Sequence, residues 1–118
     1  MPESQPTEVL TKQEMTAQPN NTLPGAEREG SLRTSFKGLT AGTFKTNLVV
    51  MPAGQCSPPR ASEIEHIIYV LEGSFEFLVD GAPHLLAELD QIRVPVGVLW
   101  EYRNAALAQS VFLSITGP

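Results

Sequence analysis

His66-Ile67-Ile68-Tyr69-Val70-Leu71-Glu72-Gly73-Ser74-Phe75-Glu76-Phe77-Leu78-Val79-Asp80-Gly81 is the stretch whose reading decides the fold. β-Branched and aromatic residues fill its two runs, and Glu72-Gly73 and Asp80-Gly81 are turn formers. The pattern predicts a strand over 66–71, a tight turn at Glu72-Gly73, and a second strand over 75–79 returning antiparallel. Asp80-Gly81 suits a primed hairpin turn, which needs positive φ at its central residues.

The same rhythm continues toward the C-terminus. Strands are predicted at His84–Ala87, Gln91–Pro95, Leu99–Arg103 and Ser110–Thr116, with a turn at Val96-Gly97. In the last of these, Val111, Leu113 and Ile115 alternate with Phe112, Ser114 and Thr116, the period of a strand. Toward the N-terminus the strand pattern starts at Ser31. In Thr43–Met51, Phe44, Leu48 and Val50 share one face, while Lys45 and Asn47 share the other. Val49 and Met51 break that polar face, so this strand is expected to pack against another layer, either a second sheet of the chain or a dimer mate. Pro52-Ala53-Gly54 then turns the chain.

Residues 1 to about 24 are polar, carry four prolines and show no period at 2 or 3.6. They read as an extended arm, not a helix, either disordered or lying along the barrel edge or a neighbouring subunit. The chain therefore divides into an arm over 1–30 and one all-β domain over 31–118. Its 118 residues suffice for one modest core, and the 9 glycines and 10 prolines punctuate short strands.

A formal charge of −5, with Lys and Arg scattered, argues against nucleic acid as a partner. Met1-Pro2-Glu3-Ser4-Gln5-Pro6 has no basic and apolar leader pattern, and no apolar run approaches the roughly 20 residues that span a bilayer. The expectation is a cytoplasmic protein with no membrane partner. The lone Cys56 suits a reducing compartment and, with no base or orienter marked nearby, reads as an ordinary thiol.

Gly54, the Ile67–Gly73 run, Asp80-Gly81, Pro95-Val96-Gly97 and Asn104 together resemble the two motifs of the cupin superfamily. The first motif runs Gly, five residues, His-x-His, three or four residues, Glu, six residues, Gly. The second runs Gly, five residues, Pro-x-Gly, two residues, His, three residues, Asn. The resemblance covers about Arg33 to Thr116 and implies an all-β double-stranded β-helix, or jelly-roll, barrel with the arm outside it. Leu23-Pro24-Gly25, Leu48–Gly54 and Ile64–Gly73 are further similar to the amino-terminal, non-catalytic half of (S)-ureidoglycine aminohydrolase. In that family the manganese ligands lie in the other half, so the similarity implies architecture and a preference for small polar metabolites, not catalysis.

Position by position, the family's metal ligands are replaced. Counting back from Gly73 puts His66 where the family has Glu, and Arg60 and Ser62 where it has the His pair; with one more loop residue, Pro59 and Ala61 take those places. Trp100 replaces the second motif's His, and Leu89 stands where that motif begins with Gly. One imidazole holds no transition metal firmly, so no metal and no cofactor are expected.

Strand alternation sends Arg60, Ser62, His66, Ile68, Trp100 and Tyr102 into the barrel. Two readings stay open. Ile68, Trp100 and Tyr102 either fill the interior with apolar bulk, or line a pocket with a few convergent polar groups. In the second, Arg60, Ser62, Ile68 and Trp100 bind a ligand, Arg60 pairing with a carboxylate; in the first, Arg60 pairs with Glu63 or Glu65 at the surface. His66 is either a structural histidine or a general base with Tyr102 as acid. Glu63, Glu65 and His66, with Glu101, suggest a metal held from unexpected positions, but Glu65 and His66 fall on opposite faces. His84 reads as a surface residue. The resulting expectation is a metal-independent barrel binding a small polar or carboxylated metabolite. A homodimer is expected through the Val49/Met51 face or the arm. The alternative is an isomerase, lyase or hydrolase using His66.

Overall fold

The structure, a computed structural model, describes residues 7–18 and 34–117. Among these described residues nine strands follow a short helix. They are β1 (Thr34–Ala41), β2 (Phe44–Met51), β3 (Arg60–Ala61), β4 (Glu65–Glu72), β5 (Phe75–Val79), β6 (Ala82–Leu86), β7 (Gln91–Val94), β8 (Leu99–Asn104) and β9 (Ser110–Gly117). They form a five-stranded sheet, β1-β2-β9-β4-β7, and a four-stranded sheet, β3-β8-β5-β6. All pairings are antiparallel. This is the all-β double-stranded β-helix expected. Among the described residues no helix is long and apolar enough to cross a membrane.

Much of the expected arm, and the strand start at Ser31, lie outside the described residues. Within 7–18 the expectation of an extended chain is corrected: Lys12–Thr16 forms helix α1. Thr11 caps it, its Oγ1 accepting from the Glu14 N–H at 3.1 Å and donating to Glu14 Oε1 at 2.9 Å. Five residues hold no helix alone in water. Gln18 ties this one down, its Nε2 donating to the Lys37 carbonyl at 2.7 Å and its Oε1 accepting from the Lys37 N–H at 3.0 Å.

The pairing of the central strands is a second correction. β5 does not return on β4: β4 lies between β9 and β7, and β5 between β8 and β6. The chain instead crosses between sheets at Gly73. There φ is +75°, and a Cβ would sit 2.0 Å from Ser110 Oγ, so only glycine fits. The Ser74 N–H donates to that Oγ at 3.1 Å. Buried Asn104 closes the same corner, donating to the Met51 and Ala108 carbonyls and accepting from the Ala106 N–H and the Ser110 hydroxyl, all at 2.8–2.9 Å. Asp80 and Gly81, at φ +50° and +82°, make the primed turn between β5 and β6.

Between the sheets lie Val49, Met51, Ile68, Val70, Phe75, Phe77, Val94, Trp100, Tyr102 and Phe112. Phe112 meets Phe75 and Tyr102 edge-on, at ring-centre distances of 5.0 and 5.1 Å. Met51 is fully buried and Val49 nearly so, whereas Phe44 is 56% exposed. The expected dimer face of Val49 and Met51 is therefore overturned, because these side chains are core. Lys45 and Asn47 share their face, but pair with Thr116 and Ser114 at the polar end of the barrel.

Candidate functional site

The barrel interior changes character along its axis. At one level Val49, Phe112 and Val70 are neighbours across β2, β9 and β4; two residues along stand Asn47, Ser114 and Ile68; two further, Lys45, Thr116 and His66. Inward residues thus run from apolar to polar toward one mouth. β3 closes that mouth. Ser62 donates its hydroxyl to the Pro95 carbonyl and its N–H to the Val98 carbonyl at 3.0 Å, and accepts from the Gly97 N–H at 2.8 Å. This fastens β3 to the β7–β8 turn and sets Arg60 directly opposite Trp100.

An open pocket of about 520 Å³ lies there, lined by Pro58, Arg60, Ser62, Glu63, His66 and Trp100 among others. The Trp100 indole forms its floor. It packs at a tilt against His66, with ring centres 5.1 Å apart, and against Tyr102 behind it at 5.6 Å. Of the six residues that alternation sends inward, Arg60, Ser62, His66 and Trp100 share this pocket. Ile68, fully buried, and Tyr102, packed among Phe75, Phe77 and Phe112, lie deeper. The interior is therefore plugged at its heart and open at this mouth.

Burial, and then the Arg60 cation, hold the His66 imidazole below its ordinary value of 6.5, so it is neutral at pH 7. Its Nδ1 lies 3.4 Å from Ser114 Oγ. Ser114 and Thr116, which the sequence reading passed over, stand beside Ile68 and His66 on the inward face below the pocket; their alternation with apolar partners on β9 carried the signal. The Trp100 Nε1–H is buried with no hydrogen-bond partner among the described residues.

The residues at the positions where the resemblance implies metal ligands do not fit a metal ion. A guanidinium and an indole donate no lone pair to one, and the Ser62 hydroxyl is directed to a carbonyl. Among the described residues no three of His, Cys, Asp and Glu converge. Glu65 lines a separate surface depression with Phe44 and Ile67, and Glu101 lies on the outer face of the four-stranded sheet beside Cys56.

Three comparisons bear on this architecture. Protein SchB of Streptomyces halstedii is 29% identical over 98 residues, covering 80% of this chain and 71% of that protein. The polyketide cyclase RemF of Streptomyces resistomycificus superposes with a TM-score of 0.66 at 24% identity, over 75% of this chain and 67% of that one. The Schizosaccharomyces pombe Cnp3 cupin domain gives 0.67 at 17%, over 73% and 65%, so the chain spans slightly less than two thirds of its length. At these identities the two structures speak for the fold alone. Residues 47–116, more than half of the sequence, match the family model of the cupin domain. With the two-sheet barrel and its glycine corners in place, the chain belongs to the cupin family.

Proposed function

We propose that the mouth pocket binds a small carboxylated or otherwise oxygen-rich metabolite without a metal. The observation that carries this reading is the placement of Arg60 and Trp100 as cross-strand partners, with neutral His66 against the indole. A cation, an aromatic platform and an uncharged imidazole around an open pocket above a packed core are the usual equipment for a small planar anion. Ureides, which the resemblance to the ureidoglycine aminohydrolase half suggests, belong to this class.

Trp100 is the protein's one tryptophan, so its emission reports on the pocket directly. Titration with a panel of small carboxylates, aromatic hydroxy acids and ureides should shift that emission saturably for at least one compound. Arg60→Gln should weaken the same compound by about tenfold or more, the scale of a lost charge-assisted hydrogen bond. A panel without effect, or an Arg60→Gln protein that binds as well, sinks this reading.

A second reading has its own observation. A neutral imidazole beside a guanidinium suits removal of a proton next to a carbonyl, with Arg60 steadying the resulting enolate oxygen. His66→Ala tests it: turnover of a bound panel compound that survives the change removes His66 as the base.

A further inference from the structure

His66 meets a different neighbour on each side. In its cross-strand row Val94 lies on β7 and Thr116 on β9, with Lys45 beyond Thr116 on β2. Across the barrel it faces Trp100 on β8, whose partner on β3 is Arg60, and Glu63 lines the same pocket. Arg93 is opposite outward-facing Ile67, and Glu65 and Glu101 belong to separate surface depressions. Of these charged groups Arg60 is the one that acts on the ring: after burial, its cation is what keeps the imidazole neutral. The two ring nitrogens suit either charge state. Nδ1 lies 3.4 Å from the Ser114 hydroxyl, which can accept a hydrogen bond as well as donate one. Nε2 has no partner among the described residues and, unlike the Trp100 indole N–H, is not sealed from solvent. The indole, with its ring centre 5.1 Å away, is within cation–π reach of an imidazolium.

We infer that anion and proton enter this pocket together, an inference that rests on the carboxylate reading of the site. A carboxylate held by Arg60 draws one proton from the buffer onto His66, and the imidazolium donates from Nε2 to the bound anion. One negative and one positive charge are added, so the net charge of the pocket is unchanged. The carboxylate reverses both costs that keep the free ring neutral. Its charge offsets the field of Arg60 at the imidazole, and a charge-assisted hydrogen bond replaces the water lost to burial. Linkage makes the effect mutual: what the anion adds to proton affinity at His66, the proton adds to anion affinity at the pocket. An uncharged amide of the same shape does neither, so the preference for carboxylate over amide grows as pH falls. With its proton in place His66 is a positioning donor and no longer a base.

Benzoate is the probe, planar and ionised near neutral pH, with benzamide as its uncharged counterpart. NMR titration of the histidine rings in the full wild-type chain reads His66 directly, and exposed His84 is the internal reference. Without benzoate His66 should titrate below 6.5; at saturating benzoate it should titrate above 6.5, while His84 stays where it was. Between those two midpoints Trp100 emission should show benzoate binding more tightly by up to about tenfold for each unit of pH lowered. Benzamide should show no such trend, and in His66→Gln the benzoate affinity should no longer vary with pH. A wild-type affinity that ignores pH, a His66 midpoint that stays below 6.5, or a His66→Gln protein that keeps the trend overturns the inference while the carboxylate reading stands. Should His66→Gln fail to fold, the wild-type NMR titration decides alone. No benzoate binding at any pH, by emission or by ring shifts, removes the carboxylate reading and the inference with it.

Discussion

The two sheets share one core but meet their outer surroundings differently. Outward from the four-stranded sheet point Glu76, Glu101 and Arg103, with Leu78 and Leu85 among them, and Glu76 and Arg103 form an ion pair at 2.9 Å. Outward from the five-stranded sheet point Leu48, Val50, Val111, Leu113, Ile115, Ile67 and Tyr69. The inner faces look alike. The outer faces differ: β5 and β8 turn alternate polar residues outward, whereas β2, β4 and β9 turn mostly apolar ones outward.

The sharpest way to break that comparison uses neighbouring residues of β9. Phe112 is 1% exposed and touches Phe75, Phe77 and Tyr102, so Phe112→Ala should lower the unfolding free energy by about 3–5 kcal/mol. Leu113→Ala, one residue on but facing out, should cost about 1 kcal/mol or less in dilute monomer, because its side chain is only partly covered. Urea denaturation below micromolar concentration measures both. Equal losses would show that the outer face is already packed within one chain.

The link from β6 to β7 joins the two sheets and holds an avoidable strain. Leu89 sits at φ +71° where the family motif has glycine, and its side chain is 69% exposed. Leu89→Gly should relieve the left-handed conformation and stabilise the protein by about 1 kcal/mol. An unchanged or lower denaturation midpoint would mean that Leu89 contributes packing absent from this structure.

His66 marks the polar end of the five-stranded sheet's inner face, and its effect is set by pH. The unfolded chain takes up its proton near 6.5, and the folded chain only at lower pH. Stability from this group is therefore complete above 6.5 and is lost as pH falls through the lowered folded value. His66→Gln should flatten that part of the profile, so the wild-type minus variant difference should narrow on acidification. Parallel curves would mean that His66 titrates alike in both states.

How much of this was legible in the sequence follows from what period-2 reading reports. It gives strands and shared faces, so β2 and β4 to β9 and the turn at Asp80-Gly81 are visible. It does not say which strand is the neighbour, so the crossing at Gly73 reads as a hairpin although Ser110 is what makes glycine necessary there. Nor does it give depth along a barrel. Lys45 and Asn47 made a core face look like a surface face because they stand at the mouth, and Ile68 and Tyr102 share the face of His66 and Trp100 without sharing their pocket. The four mouth residues were legible because Gly73, Pro95 and Gly97 fix a counting frame. The Thr11–Glu14 cap of α1 was present in the sequence, but one and a half helical turns offer no period to confirm it.

The smallest effect belongs to the solvated face. Glu76 and Arg103 face each other across β5 and β8, with side chains 37% and 51% exposed. Carboxylate and guanidinium at that exposure keep most of their water, and salt screens what they gain, so the pair contributes little to stability. Glu76→Gln should move the urea midpoint barely beyond error at low salt and not at all at high salt. A large, salt-independent loss at Glu76 would mean that this face too is covered, and the contrast between the sheets would then rest on something other than solvent.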